Sequence, residues 1–171
     1  YIYVYIMTKN IKISGQILSR YEEILTKDAL NFINELHIKF NKERIDLLNA
    51  RQERQSNIAK GSSLGFLEET KNIRESKWKI KSIPKDLLKR QVEITGPPVP
   101  KKMFISALNC GSDCYMTDFE DSLTPSFKNL IEGQLNIKDA IDKKIDFTDK
   151  KTGKTYKLND KTAILLVRPR G

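Results

Sequence analysis

Cys114-Tyr115-Met116-Thr117-Asp118-Phe119-Glu120-Asp121 and Ala163-Ile164-Leu165-Leu166-Val167-Arg168-Pro169-Arg170-Gly171 share one design: a strand-like run that ends in charge. A helix-like segment opened by Pro125 lies between them. A strand, a helix and a second strand with charges at both strand C-termini is how parallel α/β barrels and open sheets place their active sites. The reading is therefore α/β, with an acidic cluster facing arginines across the mouth of a barrel. The run 163–167 is wholly apolar, as expected of a parallel strand covered on both faces.

Outward from these two stretches, the pattern is punctuated clearly. Gly96-Pro97-Pro98-Val99-Pro100 excludes a continuous helix and marks the best boundary. After it come a short helix over 103–108, a strand over 114–118 and a helix over about 126–142 carrying Phe127, Leu130, Ile131, Leu135, Ile137 and Ile141. Lys150-Lys151-Thr152-Gly153 reads as a hairpin turn joining Ile145–Thr148 to Lys154–Leu158. Before the boundary, Thr26 is placed to cap a helix with Asp28 in its first turn. Ala29, Phe32, Ile33, Leu36 and Phe40 recur at helical spacing, and Ile45, Leu48 and Ile58 continue the face. This is one long helix or two joined near Asn41. Gly61 to Gly65 end it; Trp78 and Ile80 are the expected apolar anchors of 66–83. Pro84 opens a short helix, and Val92-Glu93-Ile94-Thr95 alternates as a strand does.

The chain of 171 residues has 31 basic and 22 acidic side chains and a net charge of +9. Its lysines are interleaved with acids, as in Lys42-Glu43-Arg44, which reads as a solvated surface rather than a nucleic-acid footprint. Some of the excess could meet an anionic cofactor, which charge alone does not establish. Cys110 and Cys114 fit neither a redox CxxC nor a zinc site, so reduced, packed thiols are expected. His37, the only histidine, lies within a helical pattern and is assigned no role. Tyr1 to Ile6 are either upstream of a start at Met7 or an edge strand, too few to span a membrane. Gly171 follows directly on a buried-type strand, so an incomplete sheet is expected.

In an extended segment Asp118 and Glu120 project to one face and Asp121 to the other. Three neighbouring carboxylates repel unless a metal, an arginine or hydrogen-bond donors compensate. They admit two roles: a functional one for Asp118 and Glu120, and capping of the following helix by Asp121 or Ser122, with Asp121 the first choice. Arg168, held extended by Pro169, carries a planar fork suited to a carboxylate or phosphate. It equally suits a structural ion pair with the acidic cluster itself.

The ordered set Asp118-Phe119-Glu120-Asp121-Ser122-x-x-Pro125, Ile131-Glu132-Gly133-Gln134-Leu135-Asn136, Leu158-Asn159-Asp160-Lys161-Thr162 and Val167-Arg168-Pro169-Arg170-Gly171 closely resembles the malate synthase family. Upstream, Ile24-Leu25-Thr26, Ala50-Arg51, Ile73-Arg74-Glu75, Ile83-Pro84-x-Asp86-Leu87 and Val92-Glu93-Ile94-Thr95-Gly96-Pro97 match in order. The resemblance runs from about residue 12 to the end and covers the opening third of such an enzyme. Departures are Lys89-Arg90-Gln91 where paired arginines are usual, a proline stretch one residue longer, and Phe127 where tryptophan is frequent.

The resemblance implies residues 1–96 as an N-terminal helical clasp, then 101–171 as the first βα unit and second strand of a (β/α)8 TIM barrel. It implies condensation of acetyl-CoA with glyoxylate to malate, using Mg2+, in the glyoxylate cycle. Arg168 takes the place of the catalytic arginine that contacts glyoxylate, with Arg170 as a further substrate-binding arginine. Asp118, Glu120 and Asp121 match the acidic cluster near the metal. The catalytic base and the direct Mg2+ ligands are expected elsewhere in the enzyme, so this stretch alone should be inactive. Alternatives are a related lyase of citramalyl or malyl thioesters and a non-catalytic basic domain binding nucleic acid. On the leading reading the partners are the two small-molecule substrates, with neither nucleic acid nor membrane; oligomeric state is open. The compartment implied is peroxisome, glyoxysome or cytoplasm.

Overall fold

A computed structural model describes residues 7–8 and 11–170. Tyr1 to Ile6, and with them the choice between upstream sequence and edge strand, lie outside the described residues. The chain divides into two compact units, Leu30–Ser82 and the union of Tyr1–Ala29 with Ile83–Gly171.

Strands β1 (Met7–Thr8) and β2 (Ile11–Lys12) form a short antiparallel pair. Helix α1 runs unbroken over Lys27–Ala59, so a single long helix replaces the choice of one or two. Thr26 Oγ1 accepts from the Ala29 N–H at 3.1 Å, which satisfies an otherwise orphaned donor of its first turn. Helix α2 (Lys71–Glu75) follows a 3-10 turn over Glu68–Thr70.

Within Leu30–Ser82 most apolar residues face water. Phe32, Ile33, Leu36, Phe40, Ile45 and Leu48, of the apolar face read from helical spacing, are exposed. The expectation of Trp78 and Ile80 as anchors also fails: they are 63% and 80% exposed. The cause is local: residues 77–82 have neither helical nor strand structure to set a face against a neighbour. What order there is comes from short-range contacts. Arg74 donates to the Leu67 carbonyl at 2.7 Å and to Thr70 Oγ1, with its guanidinium over the Phe66 ring.

The other unit is organised by a parallel sheet of β3 (Glu93–Gly96), β4 (Cys114–Asp118) and β7 (Ile164–Arg168), in that spatial order. Helix α3 (Lys101–Leu108) links β3 to β4. Helix α4 (Phe127–Ile141) and the hairpin of β5 (Asp146–Thr148) and β6 (Thr155–Lys157) link β4 to β7. Parallel neighbours need such crossovers. The strand before the proline stretch thus belongs to the same sheet as the two after it: three parallel strands, one more than expected.

Central β4 is buried at four of its five positions, including Thr117 and Asp118. β7 is not covered on both faces as expected: its first three residues are half-buried and Val167 is exposed. The reason is position, since among the described residues β7 pairs only with β4.

The core gathers Phe104, Ile105 and Leu108 of α3, Tyr115 of β4, Ile137 and Ala140 of α4, and Phe119, Leu123, Ile145 and Ala163 from the connections. Prolines 97 and 98 offer carbonyls but no N–H, and buried partners use them. Tyr115 Oη donates to the Pro97 carbonyl at 3.0 Å and Asn136 Nδ2 to that of Pro98 at 2.8 Å. Gly133 lets α4 approach closely, because a Cβ there would stand 2.7 Å from Pro98 Cγ and 2.8 Å from Phe119 Cε1. A second cluster seats Tyr21 against Ile131, Leu135 and Phe127. Cys114 is packed as expected; Cys110 is exposed, and both thiols are free.

Candidate active site at the ends of β4 and β7

The parallel register sets Asp118 beside Arg168, the last residues of adjacent strands. The Phe119 N–H donates to the Arg168 carbonyl at 3.0 Å, and beyond it regular pairing ends. Pro169 has no N–H to continue the ladder. At this point the chain after β4 turns back on itself, and the turn is built around one carboxylate.

Asp118 Oδ1 accepts from the N–H groups of Glu120 at 2.9 Å and Asp121 at 3.1 Å, and Oδ2 from that of Ser122 at 3.0 Å. The residue is 1% exposed. Burial by itself would push its pKa up, but the three backbone donors and the Ser122 hydroxyl together hold it below the ordinary aspartate value.

The turn corrects the face rule of an extended chain. Asp118 points inward, whereas Glu120 and Asp121 both reach the Arg168 guanidinium. Glu120 Oε2 lies 2.7 Å from Nη2, Asp121 Oδ2 lies 2.6 Å from Nη1, and Asp118 Oδ2 is 3.7 Å from Nη1. The hydrogen bond to Asp121 is the largest of the effects that raise the arginine's pKa above its already high value. Arg168 therefore stays a cation, and its side chain keeps 36% of its surface open.

Capping also differs from expectation. Ser126 Oγ, not Asp121 or Ser122, accepts from the Asn129 N–H at the start of α4, at 3.2 Å. Asp121 is instead drawn to the arginine, and the Ser122 N–H to Asp118. Arg170, expected beside Arg168, is exposed and borders a hollow of about 330 Å³ with Phe119, Leu130, Gln134, Val167 and Pro169. It has no ion pair among the described residues.

A polar cluster that the sequence did not announce lies elsewhere in the same unit. Arg20 donates from Nη1 and Nη2 to the two oxygens of Asp139, at 2.9 and 2.7 Å, and from Nε to Glu23 at 2.6 Å. Lys138 also reaches Glu23. Arg20 and Asp139 border a hollow of about 530 Å³ that includes Lys101, Glu132 and Asn136. Contacts across 119 residues leave no local signal.

The fit to a metal can be judged from the donors. Asp118 accepts three amide N–H groups, and one oxygen each of Glu120 and Asp121 faces the Arg168 cation. No group of three acidic, histidine or cysteine side chains among the described residues is arranged to hold a metal ion. Nor is any helix among them long and apolar enough to cross a membrane.

Comparison with known proteins bears on the whole of this arrangement. Residues 9–72 match the family described as malate synthase, N-terminal domain. A protein named malate synthase, glyoxysomal, from Brassica napus is 44% identical over 168 residues, which is 98% of this chain and 30% of that protein. Malate synthase from Myxococcus xanthus (strain DK1622) is 46% identical over 151 residues, and malate synthase A from Escherichia coli (strain K12) 45% over 150. Each of these covers 88% of this chain and 28% of the bacterial protein. The chain is similar to these malate synthases over 88–98% of its length and spans 28–30% of theirs.

Proposed function

We propose that the protein carrying this chain is an acyltransferase that joins the acetyl group of acetyl-CoA to glyoxylate and releases malate and CoA. The observation supporting it is 44% identity to a malate synthase along 98% of the chain. The reaction requires a base to take a proton from the acetyl methyl group. The enolate carbon then attacks the aldehyde carbon of glyoxylate, and water splits the malyl thioester.

In this reading Arg168 is the catalytic arginine. Its open edge would meet the glyoxylate carboxylate or the developing oxyanion, and its pairing with Glu120 and Asp121 would keep the fork aimed. Arg170 would add a second cation for substrate. Among the described residues no three acidic, histidine or cysteine side chains are grouped to hold Mg2+, and in the acidic cluster Glu120 Oε2 and Asp121 Oδ2 face Arg168 instead. The direct ligands of that ion, like the base, would come from elsewhere in the complete protein. The helical chain before residue 93 is read as the clasp. β3, β4 and β7 are read as consecutive strands of a (β/α)8 barrel that begins at β3 rather than after residue 100. Five plant relatives carry "glyoxysomal" in their names, which supports a glyoxysomal or otherwise intracellular setting.

The test is glyoxylate-dependent thioester loss by the full-length protein, measured at steady state. Arg168→Lys should lower kcat by about 100-fold or more, since charge without the planar fork is left. Arg170→Lys should cost less. A wild-type protein without glyoxylate-dependent turnover would reject the function. Near-normal Arg168→Lys with a crippled Arg170→Lys would move the role to Arg170.

A further inference from the structure

We propose that Asp118 is a positioning residue that acts through Arg168, by ordering the turn that presents Glu120 and Asp121 to the guanidinium. The proposal rests on the reading of Arg168 as the catalytic arginine. Its warrant is the separation of tasks within the acidic cluster. Asp118 is 1% exposed and accepts three backbone N–H groups within 3.1 Å. Those three donors take most of the acceptor capacity of its two oxygens, and Arg168 Nη1 stands 3.7 Å from Oδ2, so the group is enclosed within the turn rather than open to a substrate. Glu120 and Asp121 are the reverse: their side chains are 39% and 71% exposed, and each touches Arg168 closely.

The chain of contacts has an order. Remove the Asp118 carboxylate and three donors at a buried strand end lose their acceptor. The turn is then free to relax, and the two exposed carboxylates no longer share one guanidinium. The Phe119 N–H bond to the Arg168 carbonyl fixes the backbone alone. The fork itself is aimed by side chains that only the turn brings together. Asparagine at 118 keeps one acceptor oxygen but sets an NH2 against an N–H, so it unmakes the turn with little change in volume.

The experiment is a double-mutant cycle in the full-length enzyme, with melting temperatures recorded for every variant. Asp118→Asn should lower kcat by about 10- to 100-fold with the KM for acetyl-CoA little changed. In an Arg168→Lys background it should cost under about 3-fold. Both limbs of the pH profile of kcat should survive, because no acid or base has been removed. Equal losses in the two backgrounds, or a vanished low-pH limb, would overturn the proposal. If Asp118→Asn does not fold, Glu120→Gln combined with Asp121→Asn should show the same dependence on Arg168, and additivity there would count equally against it. The 15N signals of the Arg168 guanidinium give a readout free of turnover. Restricted rotation in the wild type should be lost in the Asp118 variant, and unchanged signals would sink the positioning role even where the enzyme proved not to act on glyoxylate. An inactive wild type with that loss of restriction would reject the function alone.

Discussion

The two compact units of this chain use apolar residues in opposite ways. The sheet unit buries Phe104, Ile105 and Tyr115 almost completely, whereas the helical unit leaves Phe32, Leu36 and Leu47 in water. Both have clear periodicity. The difference lies in what faces the stripe. In the sheet unit a strand pairs on both sides and two helices close over it, so contacts are made between residues far apart in sequence. In Leu30–Ser82 the bonds are mostly one turn long, such as Lys42 to Asp46 and Arg44 to Asn41. A period of 3.6 specifies a face, but only a second face buries it.

The sharpest way to break this contrast is to truncate one large residue in each unit. Phe104→Ala removes a ring with no exposed surface and should lower the opening free energy of the β4 amides by about 3–5 kcal/mol. Leu47→Ala, at a residue 63% exposed, should change it by less than about 0.5 kcal/mol. Native-state hydrogen exchange reads both, because it reports opening residue by residue. Similar losses would mean that the helical unit holds its apolar face in a real core.

A smaller effect belongs to the close approach of α4. Gly133→Ala puts a methyl group into the ring of Phe119 and against Pro98, so it must displace core rather than a flexible tip. A cost of about 1–3 kcal/mol in urea unfolding is expected despite alanine's better helix propensity. A stabilised variant would show that the helix can shift outward freely.

Acid titration isolates the ion-pair cluster around Arg20. Glu23 is held at about 2, below its ordinary 4.5, first by its hydrogen bond to Arg20 and then by Lys138. Asp139 is lowered chiefly by Arg20 as well. Groups with depressed folded pKa values stabilise above the unfolded pKa, and that stabilisation is lost as pH falls through the folded one. Stability should therefore decline between about pH 4.5 and 2, and Arg20→Gln should flatten that decline while lowering stability at neutral pH. An unaltered acid profile in Arg20→Gln would assign the decline to other carboxylates. Asp118 is one, being held low by backbone donors that the variant leaves intact.

Much of the sheet unit could be read from sequence because its signals are local. The strand-like run of β4, the stripe of α4, the Lys150–Gly153 turn and the charges at both strand ends each lie within one element. The site was legible in composition but not in geometry. Face alternation holds only while a strand continues, and β4 stops at Asp118, so the rule assigned Glu120 and Asp121 to opposite sides. Ser126 took the cap because it directly precedes the helix, a shorter reach than from Asp121. Joining β3 to the sheet required knowing that the chain returns beside it after the prolines. The Arg20–Asp139 pair had no signal at all, since an arginine and an aspartate at that distance in sequence match countless others.

Trp78 gives the mildest test of the contrast, and the cleanest, because it is the only tryptophan. The sequence places a large aromatic between Lys77 and Lys79, and a core role for the indole would require those lysines to flank a buried ring. The structure leaves the ring 63% exposed in a segment without regular structure. Its fluorescence should therefore be red-shifted and readily quenched by acrylamide, and denaturant should move it little. Trp78→Phe should alter unfolding by less than about 0.5 kcal/mol, as for a surface position away from any cap or buried network. A blue-shifted, quencher-resistant emission that shifts on unfolding would show the indole covered. The helical unit would then possess the second face that its exposed residues otherwise lack.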